Sequence, residues 1–178
     1  MADELVPVEG RECGTCAVCC VVLKIDDPAL HKEAGIPCVH MVEPGGCAIH
    51  ARRPDTCRAW FCGYRLAPQL GEAWRPDRAG VLVGFLPCEA PGYPATAFKL
   101  TTWEPDAILQ PFVLDFIAGN VERGLPTYFV FMSAAGASFK TFLNERLAAV
   151  AGKADRPRLV QALTVIMREQ AASKAALG

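Results

Sequence analysis

Residues Cys13 to Cys20 read CGTCAVCC, four cysteines in eight positions. How they are read, as metal ligands, a redox pair, disulfide halves or chance, decides how the first third of the chain folds. Eight of the nine cysteines lie between Cys13 and Cys62, and only Cys88 stands apart. From Arg11 to about Tyr64 the sequence is rich in cysteine, proline and glycine and shows little sustained apolar periodicity. Such a segment cannot bury enough apolar surface to hold itself together, so another force must order it.

Composition narrows that force. A chain of 178 residues that is 52% hydrophobic can build one real core and needs no disulfides to fold. Lys and Arg (18) nearly balance Asp and Glu (19) with no block of like charge, which argues against a nucleic-acid surface. The opening MADELVPVEG lacks the basic and apolar regions of a signal peptide, and no apolar run approaches the ~20 residues of a membrane span. The expected location is the cytoplasm, away from the membrane, where clustered thiols serve as metal ligands or catalytic groups more often than as disulfides.

A CxxC step lets two thiolates converge on one ion at about 2.3 Å each for zinc. Here Cys13–Cys16 and Cys16–Cys19 overlap, Cys20 follows at once, and Cys38, Cys47, Cys57 and Cys62 complete a set of eight. These eight are the candidate metal ligands, with His40 and His50 as substitutes. They divide into two sets of four in about three dozen ways, and spacing alone selects none. Adjacent Cys19 and Cys20 point in different directions in most backbone conformations, so they serve different centres, or one is not a ligand, or one thiolate bridges two ions. The metal is zinc or iron. An iron–sulfur cluster fits the C-x2-C-x2-C step, although a bacterial ferredoxin would place its fourth cysteine three residues on and before a proline, whereas Cys20 comes immediately and Val21 follows. A thiol–disulfide pair of Cys16 and Cys19 lacks the preceding strand and helix start that such pairs use.

Arg52, Arg53 and Arg58 stand among the distal cysteines, either neutralising thiolates or as ordinary surface arginines. Trp60 and Phe61 are read as covering the site. His31 is read as a surface residue, and Cys88 as a small buried apolar one. The triplet Arg-Pro-Asp at Arg53–Asp55 recurs at Arg75–Asp77 and, without flanking cysteines there, is read as chance.

The whole is expected to be α+β. A loop-rich cysteine module, residues 1–66, is followed by a connecting loop, 67–80, and an α+β region, 81–178, packed with the module as one unit. Inside the module one short helix is expected between Asp27 as cap, Pro28 as first residue and Gly35 as stop, and another from Pro54 carrying Cys57. Beyond Gly80 the order is ββαβαα. The strands are Val81–Leu86 and Ala95–Trp103, joined as a hairpin through PCEAPGYP, and Thr127–Met132. The helices run from Pro111 to Arg123, from a Ser138 cap through Phe139, Phe142, Leu143, Leu147 and Val150, and onward from Pro157 with Leu159, Val160, Leu163, Ile166 and Met167 inward. Core packing is the first reading of that last stripe and a face for a protein partner or homodimer the second. No phosphate loop, dinucleotide fingerprint, HExxH or GxSxG occurs.

The opening CGTCAVCC, the middle Cys38 and the closing CAIHARRPDTCRAWFC of residues 47–62 together resemble the YkgJ-type cysteine-cluster family, a zinc- or iron-chelating CxxCxxCC domain. The chain keeps Cys47, Ile49, Arg53, Pro54, Cys57, Arg58 and Cys62 of the family's closing block, and places His50 where the family has tyrosine. The resemblance covers the first third and implies metal chelation in a structural, storage, delivery or sensing role. Its similarity to the domain of an iron–sulfur flagellin lysine methylase implies an alternative, an iron–sulfur enzyme or electron carrier acting on a protein or small molecule.

Overall fold

The computed structural model describes residues 6–132, 140–151 and 155–175. The module holds α1 (Val18–Val22), the strands β1 (Ile25–Asp27) and β2 (Leu30–Lys32), α2 (Asp55–Ala59) and α3 (Gly63–Leu66). After α4 (Pro76–Ala79) come β3 (Val81–Pro87), β4 (Thr96–Thr102), α5 (Pro111–Glu122), β5 (Thr127–Phe131), β6 (Lys140–Phe142), α6 (Leu143–Leu147) and α7 (Arg156–Ala175). The class is α+β, as expected.

The main sheet runs β3-β4-β5-β6, with the β4–β5 pair parallel and the other two antiparallel. Register places Val83 opposite Leu100 and Leu100 beside Phe129, and Leu82 opposite Thr101 beside Val130. Because side chains alternate across a strand, these rows face opposite ways. Val81, Val83, Leu100 and Phe129 pack with Val113, Ile117, Leu143, Leu159, Leu163 and Ile166 of the helices. Leu82 and Val130 pack instead with Val22, Met132, Trp60 and Cys62, joining the cysteine module to the sheet. The sheet is therefore the middle layer, helices on one face and most of the cysteine module on the other, with α3 reaching round to Val83 on the helix face.

Four expectations are corrected. Residues 25–32 form a hairpin, not a helix: Asp27 pairs with Leu30, and the Asp27 carboxylate accepts from the Ala29 N–H at 2.9 Å, closing an Asx turn over Pro28. Asp-Pro suits a helix start and a turn equally, and Ile25, with only 7% exposure, draws the segment into a strand. Segment 67–80 is no loose connection. Leu70 (1% exposed) and Trp74 (7%) enter the core, and the Trp74 ring meets Phe112 and Phe116 edge-on at 5.0 and 4.9 Å. The order past Gly80 is ββαββαα, because Lys140–Phe142 pairs with β5 as a fourth strand. Phe142 thus belongs to that strand and α6 starts after it, while the expected Ser138 cap lies outside the described residues. Cys88 is half-buried rather than buried, past the end of β3.

The last helix follows expectation at Leu159, Leu163, Ile166 and Met167, all buried in the protein's own core, while Val160 is half-buried against it. Gln170 ties it to the sheet. Its amide oxygen accepts from the Phe131 N–H at 2.7 Å, and its amide nitrogen donates to the Phe129 carbonyl and the Thr141 hydroxyl.

Candidate metal centre

All eight clustered cysteines line one cavity of about 650 Å³ between the module and the sheet. Cys88 is not among its lining residues, whereas His40 and His50 are. Leu82 of β3 and Lys99 of β4 form its floor, because both point to the module face of the sheet. Trp60 and Phe61 line it as half-buried walls, as expected of residues that cover a site.

Backbone bonds collect the thiols into two neighbourhoods. In the first, the Cys16 N–H donates to the Cys13 carbonyl at 2.9 Å, closing the CxxC turn. The Arg65 N–H donates to the Cys62 carbonyl at 2.9 Å while its guanidinium reaches the Cys13 sulfur at 3.7 Å, so one arginine ties Cys62 to Cys13. In the second, the Cys38 N–H donates to the Cys20 carbonyl at 2.9 Å, and Met41, bonded to the Cys38 carbonyl at 3.0 Å, bridges to Cys47. Asp27 accepts from the Thr56 hydroxyl at 2.8 Å, fastening α2 and its Cys57 to the β1–β2 turn. Gly45 (φ +151°) closes the loop before Cys47 against the CxxC turn; a Cβ there would sit 2.1 Å from the Thr15 carbonyl oxygen, which leaves room for glycine alone.

The electrostatic neighbours of Cys62 and Cys57 repeat this grouping. Burial raises the Cys62 thiol, and the like charges that add to it are Cys13 and Cys16. Burial also raises Cys57, with Cys20, Cys38 and Cys47 as its like-charged neighbours. Burial raises Cys16 as well, against a lowering contribution from Arg75. The two groups touch at Cys19 and Cys20. The Cys19 thiol is pushed up by the adjacent Cys20 sulfur and by burial, while Cys20 is lowered by the same neighbour, with Lys32 and Arg53 assisting. Adjacent in sequence, these two sulfurs are neighbours in space and still face different companions.

Each group has its own cations. Arg65 and Arg75 serve the first; the Arg75 guanidinium also donates to the Cys13 carbonyl at 3.2 Å and the Thr15 hydroxyl at 3.0 Å, and pairs with Asp77 at 2.9 Å. Lys32 and Arg53 serve the second. Lys32 is 5% exposed, and its ammonium donates to the carbonyls of Val21, Glu33 and Ile36 at 2.7–2.9 Å. Burial lowers its pKa, opposed by Cys38, Cys20 and Cys19. Of the three arginines singled out in the sequence, Arg53 lines the cavity and contacts His50, while Arg52 is exposed and Arg58 pairs outside with Asp55. His31 is exposed beside Asp26 and Glu33.

Sequence reasoning missed Lys32, Arg65, Arg75 and Lys99. For Arg75 a signal existed: the repeated Arg-Pro-Asp is not idle, since each triplet sits at the start of a short helix and aims its arginine into the same cavity. For Arg65 the signal was its place three residues after Cys62. Lys32 and Lys99 carried none, because only the hairpin and the strand parity turn them inward.

Eight soft sulfur donors and four attendant cations suit a thiophilic ion, since thiolate sites carry net negative charge that nearby cations and amides offset. The thiols ring the cavity instead of closing on a point: among the described residues, no three His, Cys, Asp or Glu side chains converge in a geometry that holds an ion. The donor set thus fits such an ion in chemistry. No family model, curated protein or solved structure matches the chain.

Proposed function

We propose that this protein binds zinc or iron through clustered cysteine thiolates, as a chelating domain of the YkgJ type. The observation that carries the reading is that one cavity collects all eight thiols, from segments up to 49 positions apart, and none of the outlying Cys88. Cations at its wall act against the burial that raises the thiols, Arg75 at Cys16 and Arg53 at Cys57, and the thiolate is the ligating form. All nine cysteines are free, which suits a reducing compartment such as the cytoplasm, and no described helix is long and apolar enough to cross a membrane. Metal held here supplies folding free energy to a module with little core of its own, about 10 kcal/mol or more for a structural site. Full thiolate coordination favours a structural or storage role over catalysis, which needs an open position.

Anaerobic purification without added metal, followed by elemental analysis and an absorption spectrum, tests the reading. At least about one equivalent of zinc or iron is expected. Sulfide-to-iron charge-transfer absorption would assign an iron–sulfur cluster, and a colourless zinc-loaded protein a zinc site. Less than about half an equivalent of any transition metal overturns the reading.

A further inference from the structure

Resting on that reading, we infer that the cavity holds two separate four-thiolate centres, one formed by Cys13, Cys16, Cys19 and Cys62, the other by Cys20, Cys38, Cys47 and Cys57. Of the many divisions of eight thiols into fours, the fold favours this one.

The backbone supplies the first argument. The CxxC turn binds Cys16 to Cys13, and Arg65, bonded to the Cys62 carbonyl, lays its guanidinium on the Cys13 sulfur. Cys19 opens the next turn, its carbonyl accepting from Leu23 at 3.3 Å. On the other side Cys20 is bonded to Cys38, and the Met41 bridge connects Cys38 to Cys47. The dividing line falls between two consecutive residues, because α1 gives successive residues different directions about its axis.

Charge supplies the second. Four thiolates on one divalent ion leave a net charge of about −2. The first group has Arg65 and Arg75 beside it and the second has Arg53 and Lys32, with Lys32 also near Cys19 and with Lys24 and Lys99 lining the shared cavity. His40 and His50 line the cavity, but each set is already complete without a nitrogen donor.

The test loads the full chain with zinc alone, and in parallel with cobalt(II) as a spectroscopic probe, then challenges it with a chelator. Wild type is expected to keep about two equivalents. Cys16→Ser/Cys62→Ser and Cys38→Ser/Cys57→Ser each remove two ligands from one group and are expected to keep about one equivalent, with the tetrahedral thiolate–cobalt spectrum of an intact centre. Cys57→Ser/Cys62→Ser removes the same number of thiols across the groups and is expected to keep none through the challenge. Cross-group retention equal to that of the same-group variants overturns the division, as does loss of both equivalents from either same-group variant. A second measurement needs no variant. Cobalt titration of wild type should raise the charge-transfer band at constant position to about two equivalents, whereas a band that shifts during filling reports bridging thiolates and overturns the division. Wild type that retains neither zinc nor cobalt overturns the metal-binding reading itself, and this inference with it.

Discussion

Lys32 shows how one side chain couples local structure to the site. Its ammonium is buried because the β1–β2 hairpin turns it inward, and three carbonyls accept from it while Cys38 and Cys20 are its charged neighbours. Lys32→Met leaves those acceptors without a donor and the thiol group with Arg53 but without Lys32. An unfolding free energy lower by about 2 kcal/mol is expected in urea titration, with an unchanged m value. Asp27, at the tip of the same hairpin, is a surface counterpart. Its carboxyl lies below the usual carboxylate range because it accepts first from the Ala29 N–H and then from the Thr56 hydroxyl. A carboxyl lowered on folding stabilises the fold above its unfolded pKa of about 4 and ceases to as the pH falls through the folded value. Between about pH 6 and 3, wild type should therefore lose more stability than Asp27→Asn, measured by thermal melts at each pH.

At the scale of elements, those with a clear period were legible. The alternation of Phe98 and Leu100 against Lys99 and Thr101 predicts β4 and even which residues share a face, though not which layer each face meets. The Leu159, Leu163, Ile166 stripe predicts α7 in the same way. Elements shorter than one period were not legible: β1, β2 and β6 are three residues each, and the Asp-Pro at their turn satisfies helix and hairpin rules alike. In segment 67–80, prolines and glycines suggested a linker, yet Gly63 shows how closely its neighbour α3 approaches the sheet. A Cβ at Gly63 would stand 2.6 Å from Val83 Cγ1 and 3.1 Å from Leu70 Cδ1. Gly63→Ala should cost about 1–3 kcal/mol by overpacking and displace the adjacent Cys62. Adding Val83→Ala should make the two effects non-additive in a double-mutant cycle, since the second change removes the closest clashing atom, Cγ1, and leaves Cβ at 2.8 Å.

For the whole molecule, the layers predict unequal dependence on metal. Helices and sheet share a large apolar core, whereas the module contributes only Val22, with half-buried neighbours such as Trp60 and Cys62, to a small cluster on the opposite face. Chelator treatment should therefore leave the sheet strands and helices between residues 81 and 132 protected from limited proteolysis while cleavage begins within residues 13–62. Mass spectrometry of the fragments reads this directly, and simultaneous cleavage of both layers would show that the sheet depends on the module.

The sequence by itself determined the clustered thiols, the α+β class and the two-sided strand that carries Lys99. It did so because thiol chemistry and side-chain alternation are local properties, readable at any position without knowing its neighbours. Only the tertiary structure decided which thiols stand together, and that Lys32, Arg53, Arg65 and Arg75 attend them. Spacing along a chain restricts distance only over a few residues; Cys62 meets Cys13 because the sheet, α3 and Arg65 bring the two ends of the module to one cavity wall.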